Sequence, residues 1–152
     1  MTLLIHVDDV IIASNDLVEI ATVKRFLHKS FTIKDLGELK YFLGIEVAKS
    51  AKGIILYQRK YASDVLEDNG FSGSKPVSFP MELALQLTAN DPSPLLSDHV
   101  SYRRLIGKLL YLTITQPHLS YAIQAPIQFM SNPYTKHLQA VERVLPYLKA
   151  TD

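Results

Sequence analysis

The sequence contains no cysteine. Disulfides and zinc–thiolate sites are thereby excluded, while the cellular compartment stays open. No apolar run approaches the roughly 18 residues needed to span a bilayer, so no membrane partner is expected. The opening LLIHV is short and lacks a basic flank, unlike the start of a secretory signal. Internal repeats and low-complexity tracts are absent too. Net charge is nearly absent: 16 Lys+Arg against 15 Asp+Glu leave +1, which points to no class of partner.

What is present is a globular composition. Of 152 residues, 47% are hydrophobic and 20% charged, enough for one domain or two small lobes with a core. The charge is unevenly placed. Residues 1–100 carry a net −3 and residues 101–152 a net +4. An acidic front and a basic back suit a metal-binding lobe joined to a phosphate-facing one. Chance scatter of surface charge accounts for the same numbers.

LLIHV and VIIAS read as two strands separated by Asp8 and Asp9, a hairpin. Asp16 and Glu19 form a D-x-x-E capping signal ahead of a helix over about 16–29. FTIKD reads as a short strand, and Gly37 breaks the chain. LKYFLGIEVAK and GIILYQ read as two strands about the turn SAKG. RKYASDVLEDNG reads as a helix with Tyr61, Val65 and Leu66 on one face and Gly70 as its stop. Four prolines between Ser72 and Asp98 mark a linker or long surface loop. Beyond it the pattern is helical. HVSYRRLIGKLLYLTIT places Leu105, Ile106, Leu109, Leu110 and Thr113 on one side. HLSYAIQAPIQFMSN and TKHLQAVERVLPYLKA follow. Tyr41, Phe42, Tyr111, Tyr121 and Phe129 read as core aromatics. The expected fold class is α+β in three parts: a β-rich front over 1–75, a proline-rich joint over 76–98 and a helical back over 99–152.

Asp8 and Asp9 are the anomaly. Two charges interrupt an apolar run, and Asp-Asp is not a favoured hairpin turn pair. A buried carboxylate without a partner is costly, so it shifts its pKa or finds a cation. Adjacent acids at a hairpin tip can share a hard divalent ion such as Mg²⁺, whose shell is completed by water and phosphate oxygens. Solvated acids at an ordinary turn explain the same pair.

HVDD between apolar strands resembles the [YF]-x-D-D signature of reverse transcriptases. FTIKDLGELKYFLGIEVAKSAKGIILYQRKYASDVLEDNGF, YRRLIGKLLYLTITQP, LSYAI, QFM and VLPYLKATD are similar, in order, to the polymerases of copia-type long-terminal-repeat retrotransposons. The resemblance implies a partial right-hand polymerase, with palm hairpins and helices followed by a helical thumb. It implies templated DNA synthesis from deoxynucleoside triphosphates with Mg²⁺ or Mn²⁺, on an RNA or DNA template-primer. It makes Asp8 and Asp9 the metal-binding, catalytic pair, and places His6 and Val7 near the incoming nucleotide. His6 stands where Tyr or Phe is usual. Leu43, Gly44 and Ile45 match a hairpin that holds the primer end. Arg103, Arg104 and Lys108 are candidate contacts to the nucleic-acid backbone, or a solvated helix face.

Departures from the family pattern temper these expectations. The resemblance implies fingers and a further palm aspartate before the signature, and a ribonuclease H domain after the thumb. Asp35, Glu46 and Asp64 do not suit the place of that aspartate. The 152 residues alone are therefore expected to bind metal weakly and to lack polymerase activity, as a relic or a nucleic-acid-binding module of a retrotransposon polyprotein. The family's T-R-P-D reads Thr115-Gln116-Pro117-His118. Pro126 and Pro146 fall inside helical patterns, where an interior proline costs about 3 kcal/mol. Parent elements make DNA in cytoplasmic particles; the compartment of this chain is not readable.

Overall fold

The computed structural model describes residues 1–82 and 84–151. They form two compact units, Met1–Ile55 and Leu56–Asp152. Both α and β structure are present, in keeping with the expected α+β class.

The first unit opens with β1 (Thr2–His6) and β2 (Asp9–Ala13), paired antiparallel. The register sets Leu3 against Ile12, Leu4 against Ile11 and Ile5 against Val10. Three apolar cross-strand pairs therefore fix the ladder. A turn at Asp8-Asp9 would have set His6 against Ile11. The observed turn is instead Val7-Asp8, and Asp9 is the first residue of β2, opposite His6.

Helix α1 (Leu17–Ser30) starts as expected, with Asp16 accepting the Val18 amide at 2.8 Å. Glu19 does not close the capping box; its carboxylate takes the Ser14 hydroxyl. FTIKD forms no strand, since no neighbouring strand pairs with it. It is held as a loop by Lys24, whose ammonium reaches Asp35 at 2.8 and 2.9 Å, while Asp35 accepts the Gly37 amide at 2.9 Å. The expected long strand LKYFLGIEVAK is split into β3 (Tyr41–Phe42) and β4 (Ile45–Ser50). Leu43 and Gly44 both take positive φ, 50° and 78°, as in a type I′ turn. Strand β5 (Gly53–Tyr57) completes a sheet of order β3-β4-β5.

The second unit holds the core. Helix α2 (Arg59–Asp68) buries Ala62, Val65 and Leu66. It ends in a Schellman motif: Phe71 donates to Leu66 and Gly70 to Glu67, with Gly70 at φ 74°. Helix α3 (His99–Leu112) is capped by Asp98, which accepts the Ser101 amide at 2.9 Å. It buries Tyr102, Leu105, Ile106, Leu109 and Leu112. Leu110, expected on this face, is 41% exposed, and Thr113 is the C-cap. A 3₁₀ turn (Pro117–Leu119) leads into α4 (Ser120–Ile127), followed by α5 (Thr135–Glu142) and α6 (Val144–Thr151).

Each proline has its own outcome. Pro126 lies inside α4, near its end, and its carbonyl accepts the buried Tyr102 hydroxyl at 2.8 Å. The expected helix TKHLQAVERVLPYLKA breaks at Arg143, so Pro146 falls in the first turn of α6. A missing N–H costs no helical bond there, and the interior penalty expected for Pro146 does not arise. The proline-rich stretch is not a free joint. Leu96 donates to Pro133 at 2.9 Å, Thr135 to Pro94 at 2.9 Å and Val77 to Pro146 at 3.3 Å. Two of the expected core aromatics, Tyr41 and Tyr121, are exposed; Phe42, Tyr111 and Phe129 are half-buried.

Candidate functional site

The hairpin tip His6-Val7-Asp8-Asp9 gathers four of the sequence-nominated residues in one turn. All four are exposed. Cross-strand pairing brings His6 opposite Asp9, with Val7 and Asp8 between them. Val7 has φ 49°. A positive φ at the first turn residue alone is the pattern of a type II′ turn, where glycine is usual. A β-branched residue there is an outlier, with a cost of about 1–3 kcal/mol. Strain of this kind concentrates where a turn has a task beyond reversing the chain.

Two adjacent carboxylates are hard oxygen donors of the kind Mg²⁺ and Mn²⁺ accept. In kind they fit such an ion; in number they fall short. Among the described residues no group of three or more His, Asp or Glu side chains is placed to hold a metal. Two carboxylates alone leave most of the shell of such an ion to other oxygens, from water, phosphate or further carboxylates.

The second nominated turn is Leu43-Gly44, with Ile45 as the first residue of β4. The conformation explains the glycine: its φ of 78° is open to it at no steric cost. Ile45 is half-buried and Leu43 lies at the tip.

The basic trio on α3 is separated. The Arg103 Nε donates to the Met130 carbonyl at 2.8 Å, which ties that guanidinium to the chain beyond α4. Arg104 and Lys108 instead line a polar notch of about 370 Å³ with Ser101, Asp68 and Asn69. Lys108 is paired there with Asp68. Ser101, Arg104 and Lys108 recur at i, i+3 and i+7, one face of a helix. That spacing was readable in the sequence as a signal for Ser101. Asp68 and Asn69 were not, because the packing of α2 beside α3 brings them in. No helix among the described residues is long and apolar enough to cross a membrane.

Comparison with known proteins gives a consistent result. Residues 1–83 match the family profile described as "Reverse transcriptase (RNA-dependent DNA polymerase)". The chain is 39% identical over 149 residues to a "Retrovirus-related Pol polyprotein from transposon RE1" of Arabidopsis thaliana, covering 98% of this chain and 10% of that protein. It is 33% identical over 157 residues to the corresponding polyprotein from transposon TNT 1-94 of Nicotiana tabacum, covering 98% and 12%. An uncharacterized mitochondrial protein of Arabidopsis thaliana is 38% identical over 156 residues, covering 99% and 62%. The chain thus spans about a tenth of the length of the polyproteins it matches. No solved structure matches significantly.

Proposed function

The chain belongs to the reverse transcriptase family and is similar to a segment of copia-type retrotransposon Pol polyproteins, and from that premise we propose that its hairpin tip supplies two carboxylates of a nucleotidyl-transfer site. Asp8 and Asp9 would hold Mg²⁺ or Mn²⁺. The ion, when bound, stabilises charge on the attacking and leaving oxygens of phosphoryl transfer. His6 and Val7 flank the incoming nucleotide, and the Leu43-Gly44-Ile45 turn meets the primer end. In this reading the first unit is part of a palm, and the helices of the second carry a thumb. The single observation that supports it is the strained, exposed turn at Val7 directly before two adjacent acids.

Among the described residues no third ligating side chain joins the two carboxylates of the hairpin tip, too few to position a nucleotide and two metals, so the isolated chain is not expected to extend a primer. The test is substitution of this segment for its counterpart in the Arabidopsis RE1 polyprotein, followed by primer extension. The chimera should synthesise DNA, and Asp8→Asn should lower the rate on the order of a hundredfold or more. A chimera that is inactive, or indifferent to Asp8, contradicts the reading.

A second reading rests on the α3 notch. Arg104, with Ser101 and Asn69 beside it, suits a backbone phosphate; Lys108 is engaged by Asp68 in the same notch, and Arg103 does not join them. Fluorescence anisotropy of a labelled oligonucleotide across a salt series tests this. Arg104→Ala should weaken binding and flatten the salt slope by about one phosphate contact, with a smaller change for Arg103→Ala. Equal effects of the two variants, or binding that ignores salt, remove this reading.

A further inference from the structure

His137, at the N-terminus of α5, is completely buried, and both of its ring nitrogens are engaged. Nδ1 accepts the Tyr134 amide at 3.1 Å, closing the N-terminus of α5. Nε2 lies 3.0 Å from the Thr88 carbonyl, which only accepts, so Nε2 carries the proton and the ring is neutral. Phe129 stacks on the ring at 4.0 Å, and Tyr134 meets it edge-on at 5.6 Å. Two anchors bound the stretch that includes Thr88. Upstream, Glu82 pairs with Arg143 at 3.4 Å. Downstream, Leu95 is bridged to Tyr134. Between them, segment 85–91 has no regular structure and is held at Thr88 by His137 and at Asp91 by Lys136, at 3.4 Å.

We propose that His137 is a proton-operated latch: neutral, it fastens segment 85–91 onto α5, and protonated, it lets that segment lift away. An imidazolium donates from both nitrogens. Its Nδ1–H would then face the Tyr134 N–H, losing the cap and setting two donors together. A buried charge adds its own desolvation cost. The ring regains water most cheaply by release of the segment, because α3 to α6 share the hydrophobic core and the segment does not.

The charged neighbours are Asp91 on the segment and Lys136 on α5, which oppose each other. Burial lowers the His137 pKa from its ordinary 6.5 and outweighs the Thr88 carbonyl and Asp91, which raise it. A depressed value means that the fold favours the neutral ring. The latch holds fully above pH 6.5 and is lost as pH falls through the lowered value. Asp91 is held below the usual carboxylate range by the Ser93 hydroxyl and amide, so it stays charged across that window. Leu85, Leu87 and Thr88 also form one wall of a groove of about 510 Å³, faced by Tyr121, Gln128 and Phe129. Release of the segment opens this groove.

Amide hydrogen exchange of the full chain at pH 8 and pH 5, corrected for intrinsic rates, reads the latch directly. Protection over 85–91 should fall on acidification, by up to about tenfold per pH unit within the window. His137→Gln should abolish that fall, because a glutamine amide can accept from Tyr134 and donate to Thr88 without titrating. An unchanged acid response in His137→Gln, or none in the wild type, overturns the proposal. Should that variant not fold, the wild-type ring titration decides. Loss of protection must track a His137 midpoint below 6.5, and a midpoint at or above 6.5, or loss that does not follow it, refutes the latch.

Discussion

Val7 carries a conformation that its side chain disfavours, and it immediately precedes Asp8 and Asp9. The acids were legible as an anomaly in an apolar run. The strain was not, because it follows from a register that three apolar cross-strand pairs determine jointly. The helical unit has its own single-residue dependence at Tyr102. This side chain is fully buried on α3, and its hydroxyl donates to the Pro126 carbonyl. Burial raises its pKa, so the phenol stays protonated. Tyr102→Phe should cost about 1–1.5 kcal/mol in urea unfolding, since it deletes a buried hydrogen bond and leaves Pro126 with one fewer donor. A change below about 0.3 kcal/mol would mean that this bond contributes nothing.

Among the elements, the start of α1 and the stop of α2 were legible from local chemistry. Asp16 and Asp98 cap α1 and α3 through their own side chains, as local chemistry dictates. The break at Arg143 depends on Pro146 three residues later, and on a first turn that tolerates it. The proline-rich stretch read as a linker or long surface loop; its anchors, backbone bonds to Pro133 and Pro146 and a salt bridge to Arg143, were not legible because they are all distant in sequence. The stop of α2 was legible: Gly70 has φ 74°, and a Cβ there would meet no atom within 4 Å. Gly70→Ala should therefore cost only backbone strain, about 1 kcal/mol in urea unfolding, without distorting its neighbours. A loss well above 2 kcal/mol would show that more than the left-handed conformation is at stake.

On the scale of the molecule, the two units differ in kind. Every buried residue among those described lies at or beyond Gln58. In the first unit Leu4, Ile5, Phe26 and Leu36 remain exposed, and a two-stranded hairpin is marginally stable by itself. Stability and the proposed chemistry are thus carried by different halves of the chain. The family was legible from ordered motifs, whereas the division at 55/56 was not, because it reflects contacts and not composition. Asp8 and Asp9 are the proposed metal half-site at the hairpin tip. Titration of Mn²⁺ into the ¹⁵N-labelled chain tests it most directly. Paramagnetic broadening should be centred on residues 6–9 at millimolar metal and be diminished in Asp8→Asn and in Asp9→Asn. Broadening centred elsewhere, or unchanged in both variants, would contradict it.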